Sequence, residues 1–150
     1  MSDYGRRIVL DTDFQTAVRS TSRAIRNAGL QIVARVDVRG VFWEHVPSTF
    51  KPYLLLEAWS PDLALDAIQH DPDVGAVFAT SFAVYEQPDG RIAVVASQPL
   101  SPVAEEGGWR HEAPSLAGIA DRESCRVGEV LGRLQHEFAG QTATTASTAA

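Results

Sequence analysis

The sequence predicts an α+β fold, a mixed or antiparallel twisted sheet of about five strands with helices packed on one face, in the order β-α-β-β-α-β-β-α. Three observations lead there. Segments at either end of the chain repeat apolar residues at helical spacing. Between them lie short runs rich in β-branched and aromatic residues. Two of those runs are joined by Pro88-Asp89-Gly90, a span that only a hairpin closes, so at least one pair of strands is antiparallel.

In order, Arg6 to Asp11 reads as a strand. Thr12 offers an N-cap and Gln15 completes a capping-box spacing. Phe14, Ala17, Val18, Thr21, Ile25 and Ala28 recur at helical intervals, so a helix is expected over 13–28, with Gly29 ending it in the left-handed conformation. Leu30 to Val38 alternates. Leu30, Ile32, Ala34, Val36 and Val38 fall on one face, and Gln31, Val33, Arg35 and Asp37 on the other. Arg39 to Phe50 is irregular, a short helical turn and then a loop. Tyr53 to Trp59 is a strand, and Ser60-Pro61-Asp62 supplies a cap, a first-turn proline and a favourable acid for a helix reaching Gln69. After the His70-Asp71-Pro72-Asp73 turn, a long strand is expected over Gly75 to Glu86, and its hairpin partner over Arg91 to Ser97. Pro99 to Pro114 holds three prolines and a Gly-Gly pair and reads as a long loop. Val127, Val130, Leu131, Leu134 and Phe138 mark a last helix that begins near Ser115. The expected organisation is one domain over 1–138, with a core over about 6–98, the loop 99–114, the helix 115–138 and a disordered tail over 139–150.

With 150 residues, 45% hydrophobic and 21% charged, the chain is large enough to bury a core. Its net charge of −6 disfavours non-specific binding to nucleic acid or to an anionic membrane. A single cysteine, Cys125, rules out an intrachain disulfide and multi-cysteine metal sites. No apolar run approaches a signal core or a membrane span, so the expected compartment is the cytoplasm. There is no phosphate-cradling Gly-rich loop, no Gly-x-Ser-x-Gly elbow and no His-Glu-x-x-His. Neither a cofactor nor a metal is expected.

Two stretches resemble a known family. Lys51-Pro52-Tyr53-Leu54-Leu55-Leu56-Glu57-Ala58-Trp59-Ser60-Pro61 is similar to its extended strand running into a Pro-started helix. Asp71-Pro72-Asp73-Val74-Gly75, with an apolar strand ending in Val84-Tyr85-Glu86, is similar to its second signature. On these segments the chain resembles the domain of unknown function 302 family over roughly Ile8 to Ser97. The resemblance implies a TBP-like α+β fold and commonly a homodimer, without a settled biochemical role. Two positions depart from the pattern. Trp59 stands where relatives often carry a cysteine, and Ala79-Thr80 stands in place of Pro-Cys. Any thiol chemistry of those relatives is therefore absent here, and the fold label carries no implication of DNA binding.

Strand parity supplies the candidate site. In 53–59, Leu54, Leu56 and Ala58 form an all-apolar face, and Tyr53, Leu55, Glu57 and Trp59 form the opposite one. The polar side of the preceding strand, Gln31, Arg35 and Asp37, is expected on the same open face, with Arg35 able to pair with Glu57. Trp43, Tyr53, Trp59, Arg35 and Thr80 are the ligand-binding candidates, and the aromatic face equally suits a homodimer interface. His45 is the candidate acid/base, oriented by Glu57 or Asp37. Trp109 and His111 in the long loop are placed to close over a pocket. The expected function is a small-molecule-binding domain that forms a homodimer. The alternatives are a cofactor-free enzyme using His45 within an aromatic pocket, and a structural interaction module.

Overall fold

The computed structural model describes residues 5–46, 49–97 and 114–140, apart from the side chains of residues 114 and 115. The long loop before Pro114, with Trp109 and His111, and the tail beyond Gly140 lie outside the described residues. The elements are β1 (Gly5–Leu10), α1 (Phe14–Asn27), β2 (Gln31–Asp37), α2 (Val38–His45), β3 (Tyr53–Trp59), α3 (Pro61–His70), a 3₁₀ turn (Pro72–Ala76), β4 (Thr80–Glu86), β5 (Ile92–Ser97) and α4 (Pro114–Phe138). The five strands form one sheet in the order β1-β5-β4-β3-β2, and every neighbouring pair is antiparallel. The α+β class and the element order follow the sequence pattern.

Local chemistry explains most boundaries. Asp13, not Thr12, caps α1, its carboxylate accepting from Thr16 N at 2.9 Å and Thr16 Oγ1 at 2.6 Å. The helix ends with Gly29 N donating to Arg26 O and Leu30 N to Ile25 O, and Gly29 takes φ +82. In the β4–β5 turn Gly90 takes φ +84, and Asp89 accepts from the backbone and the guanidinium of Arg91. The expected long strand over 75–86 is shorter. Pro72–Ala76 coils into the 3₁₀ turn, Asp71 accepts from Asp73 N at 3.0 Å, and the strand starts at Thr80. Burial of Phe78 among Leu63, Ala67, Leu116 and Ile119 outweighs its strand preference.

Helices α1 and α4 cover one face of the sheet. The main core joins Leu54, Leu56 and Ala58 to Phe82 and Val84, to Ile92 and Val94, and to Ile25 and Leu134 from the helices. The two helices are also tied by polar contacts. Ser20 Oγ donates to Glu137 at 2.8 Å and Arg23 reaches the same oxygen at 2.7 Å. Gly128 in α4 allows the close approach of Arg6, whose Nη1 would lie 2.7 Å from an added Cβ, while Arg6 Nη2 donates to Ser124 O at 2.8 Å. The N-terminal half of α4 continues past the sheet and packs on α3, forming the second core cluster with Phe78. Among the described residues no helix is long and apolar enough to cross a membrane.

One register change reorganises the edge of the sheet. Gln31 faces Trp59 and Ile32 faces Ala58, but after a bulge at Val33 the pairs become Ala34 with Glu57, Arg35 with Leu56, Val36 with Leu55 and Asp37 with Leu54. Directly paired residues share a face, and one extra residue exchanges the faces of everything beyond it. The expected parity therefore fails beyond Val33. Arg35 and Asp37 lie on the helix side with Leu56 and Leu54, and Ala34 and Val36 lie on the open face.

Candidate functional site

Four of the site candidates, Arg35, Asp37, Trp43 and Tyr53, lie where β2 runs into α2. The Asp37 carboxylate caps α2 by accepting from Gly40 N at 3.1 Å, which starts the helix directly at the strand end. The helix stops at Val46, whose extended backbone suits a residue that precedes a proline. It buries none of its residues, and Trp43 is 75% exposed. From its open-face side a chain of rings leads onto the sheet. Phe42 meets Phe50 edge-on at 5.1 Å, Phe50 lies 6.1 Å from Tyr53, and Tyr53 stacks on its cross-strand partner Tyr85 at 5.0 Å. Burial, with a smaller contribution from Tyr85, raises the Tyr53 phenol above its ordinary pKa, so it keeps its proton at neutral pH.

Two cavities flank this junction, and Asp37 and Arg39 line both. One, of about 550 Å³, is bounded by Trp43, Glu44, Thr49 and Phe50. The other, of about 540 Å³, lies on the helix side, where Asp13, Phe14 and Val18 of α1 face Arg35, Tyr53 and Leu54. Both fall in the size range of small-molecule pockets. Their charges are used unequally. Asp13 and Asp37 are engaged in helix caps, and the Thr16 hydroxyl and amide hold Asp13 below the usual carboxylate range. The guanidinium groups of Arg35 and Arg39 make no hydrogen bond or ion pair with the described residues. In a third hollow, between α1 and α4, the arginines are instead consumed, Arg23 by Glu137 and Arg133 by Glu129.

The structure thus brings Arg35, Asp37 and Tyr53 together in one cavity and Trp43 with Asp37 in the next. It does not join the remaining candidates to them. Trp59 is half-buried against the second core cluster at the other end of β3, and Thr80 is buried at the start of β4. Glu57 accepts from Ser81 Oγ at 2.5 Å and not from Arg35, because the bulge has turned Arg35 to the opposite face. His45 is exposed in the last turn of α2, while Asp37 caps its first turn, about 12 Å away along the axis at ~1.5 Å per residue. Among the described residues no three His, Cys, Asp or Glu side chains form a metal-binding group.

Two features escape the sequence pattern. Arg39 had no signal, since its role depends on where α2 begins. The second is a buried acid at the far end of the sheet. Glu123 of α4 is only 4% exposed, and its Oε1 accepts from Ser60 N, the N-cap amide of α3, at 3.1 Å. Ser60 is fully buried and makes no side-chain cap, and among the described residues neither its Oγ nor Glu123 Oε2 has a hydrogen-bond partner. Burial pushes the Glu123 carboxyl up from its ordinary pKa, while its contact with Ser60 and the charge of Arg126 oppose the shift. Arg126 itself is held by Asp62 at 2.8 Å and 3.1 Å, and that pairing lowers Asp62 to about 2. A carboxylate standing in the apolar stripe Leu116, Ile119, Ala120, Val127, Val130 was the sequence sign of this contact.

No curated protein matches the chain. Among solved structures it is similar to the crystal structure of an uncharacterized conserved protein DUF302 from Bacillus stearothermophilus, with 17% identity and a TM-score of 0.75, over 89% of this chain and 99% of that one. At that identity the likeness speaks for the fold alone. The profile of the family described as "Domain of unknown function DUF302" matches residues 7–122, reaching from β1 into α4 and so beyond the stretch that resembled the family in sequence. The chain belongs to the DUF302 family.

Proposed function

We propose that this protein is a small-molecule-binding domain that works as a homodimer, with its ligand site at the junction of β2 and α2. The observation that carries the reading is the pair of cavities sharing Asp37 and Arg39, of about 550 and 540 Å³, at the junction where the bulge turns Arg35 and Asp37 towards the helix side. The dimer reading rests on the open face. Val36, Val41, Phe42 and Phe50 are exposed large apolar side chains, and Phe42 and Phe50 continue into the Tyr53–Tyr85 stack. Contiguous exposed apolar surface of this kind marks a partner. The acid/base role for His45 has no orienting partner among the described residues, so binding is the reading carried forward.

Native mass spectrometry of protein purified under gentle conditions tests both parts. The expected result is a dimer mass with a bound small molecule. A bare protein that also fails to bind any member of a small-molecule library removes the ligand reading. For the dimer, Phe42→Glu places a charge in the exposed apolar surface and should shift sedimentation towards monomer. A Phe42→Glu dimer of unchanged strength moves the interface elsewhere.

A further inference from the structure

We propose that the cavity between α1 and β2 is selective for an organic monocarboxylate, bound through the guanidinium groups of Arg35 and Arg39 with its apolar body against Phe14, Val18 and Leu54. The proposal deepens the binding reading above and rests on it.

Placement is the first argument. The bulge at Val33 puts Arg35 opposite core-facing Leu56, on the side of the sheet where α1 packs, so an edge-strand arginine is directed at a helix-lined hollow. Capping by Asp37 starts α2 immediately after β2 and brings Arg39 to the rim of the same hollow. Neither guanidinium has a partner among the described residues. A guanidinium presents its donors as a planar fork that matches a carboxylate.

Charge selects the class of anion. The same cavity holds Asp13 and Asp37, and both are fixed in place by helix-cap hydrogen bonds. Two guanidinium groups and two carboxylates sum to zero, so a bound anion brings the whole of its own charge into a neutral hollow, and the smallest charge is resisted least. A phosphate monoester, at about −1.5 to −2 near neutral pH, would add repulsion from both aspartates. A carboxylate carries a single charge and meets the fork with two oxygens. Phe14, Val18 and Leu54 offer an apolar wall. The volume of about 540 Å³ suits an acid carrying a ring or a short aliphatic chain.

The test compares three probes of similar shape and different charge, namely benzoate, neutral benzamide and phenyl phosphate, titrated into the full chain and followed by calorimetry and by NMR of arginine Nε–H and of methyl groups. Benzoate is expected to shift the signals of Arg35, Arg39, Val18 and Leu54, and to bind at least about tenfold tighter than benzamide, as hydrogen bonds to a charged group require. The Arg35→Gln/Arg39→Gln double variant should lose that tenfold for benzoate and keep its affinity for benzamide. Its melting temperature reports that the fold is intact. Equal binding of benzoate and benzamide, tighter binding of phenyl phosphate, or full benzoate affinity in the double variant overturns the acid selectivity while leaving a binding site standing. No response of the cavity residues to any probe overturns the selectivity and the placement of the ligand site together.

Discussion

The two ends of β3 treat charge in opposite ways. Where β3 runs into α3, charged groups reach across to other elements and are engaged there. Glu123 of α4 holds the Ser60 amide, and Arg126 one turn further on grips Asp62 in a two-pronged pair. Where β3 begins, beside α2, Asp13 and Asp37 serve only their own helix starts, and the guanidinium groups of Arg35 and Arg39 stand without partners among the described residues. Burial is the physical difference. Glu123 is almost wholly removed from water, where an unpaired charge is costly, so it must find donors or a proton. Arg35 and Arg39 are solvated and can remain uncommitted at little cost. The first end is therefore expected to govern stability and the second to govern binding, and substitutions at each should separate the two properties.

The strand that both ends share sets the upper limit. Leu56 is fully buried at the middle of β3, between the helices and Phe82, so Leu56→Ala should cost about 2–5 kcal/mol in chemical denaturation. A loss below about 1 kcal/mol would mean that the core face of β3 has been misassigned, and the comparison of its ends would collapse with it.

A smaller effect is expected at the buried end. Glu123→Ala strands the Ser60 amide and should cost about 1–3 kcal/mol. The pH dependence is more diagnostic. Because burial raises the folded-state pKa of Glu123 above its unfolded value, the folded chain binds more protons between those two values. The contribution of this residue is thus fully present at acid pH and is lost as pH rises through the folded pKa. Glu123→Gln keeps an oxygen for the Ser60 amide and carries no charge, so it should flatten this limb and gain stability relative to wild type towards neutral pH. Urea midpoints from pH 4 to 8 that fall in parallel for wild type and Glu123→Gln would show that another group controls the limb. Asp62, with its pKa lowered to about 2, acts in the opposite sense and loses its contribution as pH falls below the ordinary carboxylate range.

The smallest effect belongs to the open end. Arg35→Gln and Arg39→Gln should each leave stability within about 0.5 kcal/mol of wild type, since they break no side-chain hydrogen bond or ion pair among the described residues. A larger loss in thermal or urea unfolding would mean that these arginines support the fold, and the contrast between the two ends would disappear.

How much of this was legible differs from element to element. The Tyr53–Trp59 strand could be read to the residue, because one face of it is all apolar and its bounds are set by Pro52 and the Ser60-Pro61 start of a helix. Gly29 and Gly90 were legible for a steric reason, since both occupy the left-handed region that other residues avoid. The Ser60 cap was legible in position but not in its hydrogen bonding. Ser60 is the N-cap, but its amide is satisfied from Glu123, which is distant in sequence, and its hydroxyl has no partner among the described residues. The strand over 75–79 was misread because Phe78 gains more by burial against α3 and α4 than by extending β4.

The sequence by itself determined the class of the fold, the order of its elements, the hairpin, and which face of β3 is core. These follow from alternation, capping and turn chemistry, which act between residues close along the chain. The tertiary structure alone decided which way Arg35 and Asp37 point. The alternation of 30–38 keeps the same phase on both sides of Val33, and although Val33 is the apolar residue on the polar side, that alone does not show that the register shifts there. The ladder to β3 places an extra residue there, and that single residue moves an arginine and an aspartate from the open face to the hollow beside α1. The site at the β2–α2 junction is thus a product of strand register, which is settled only when two distant segments pair.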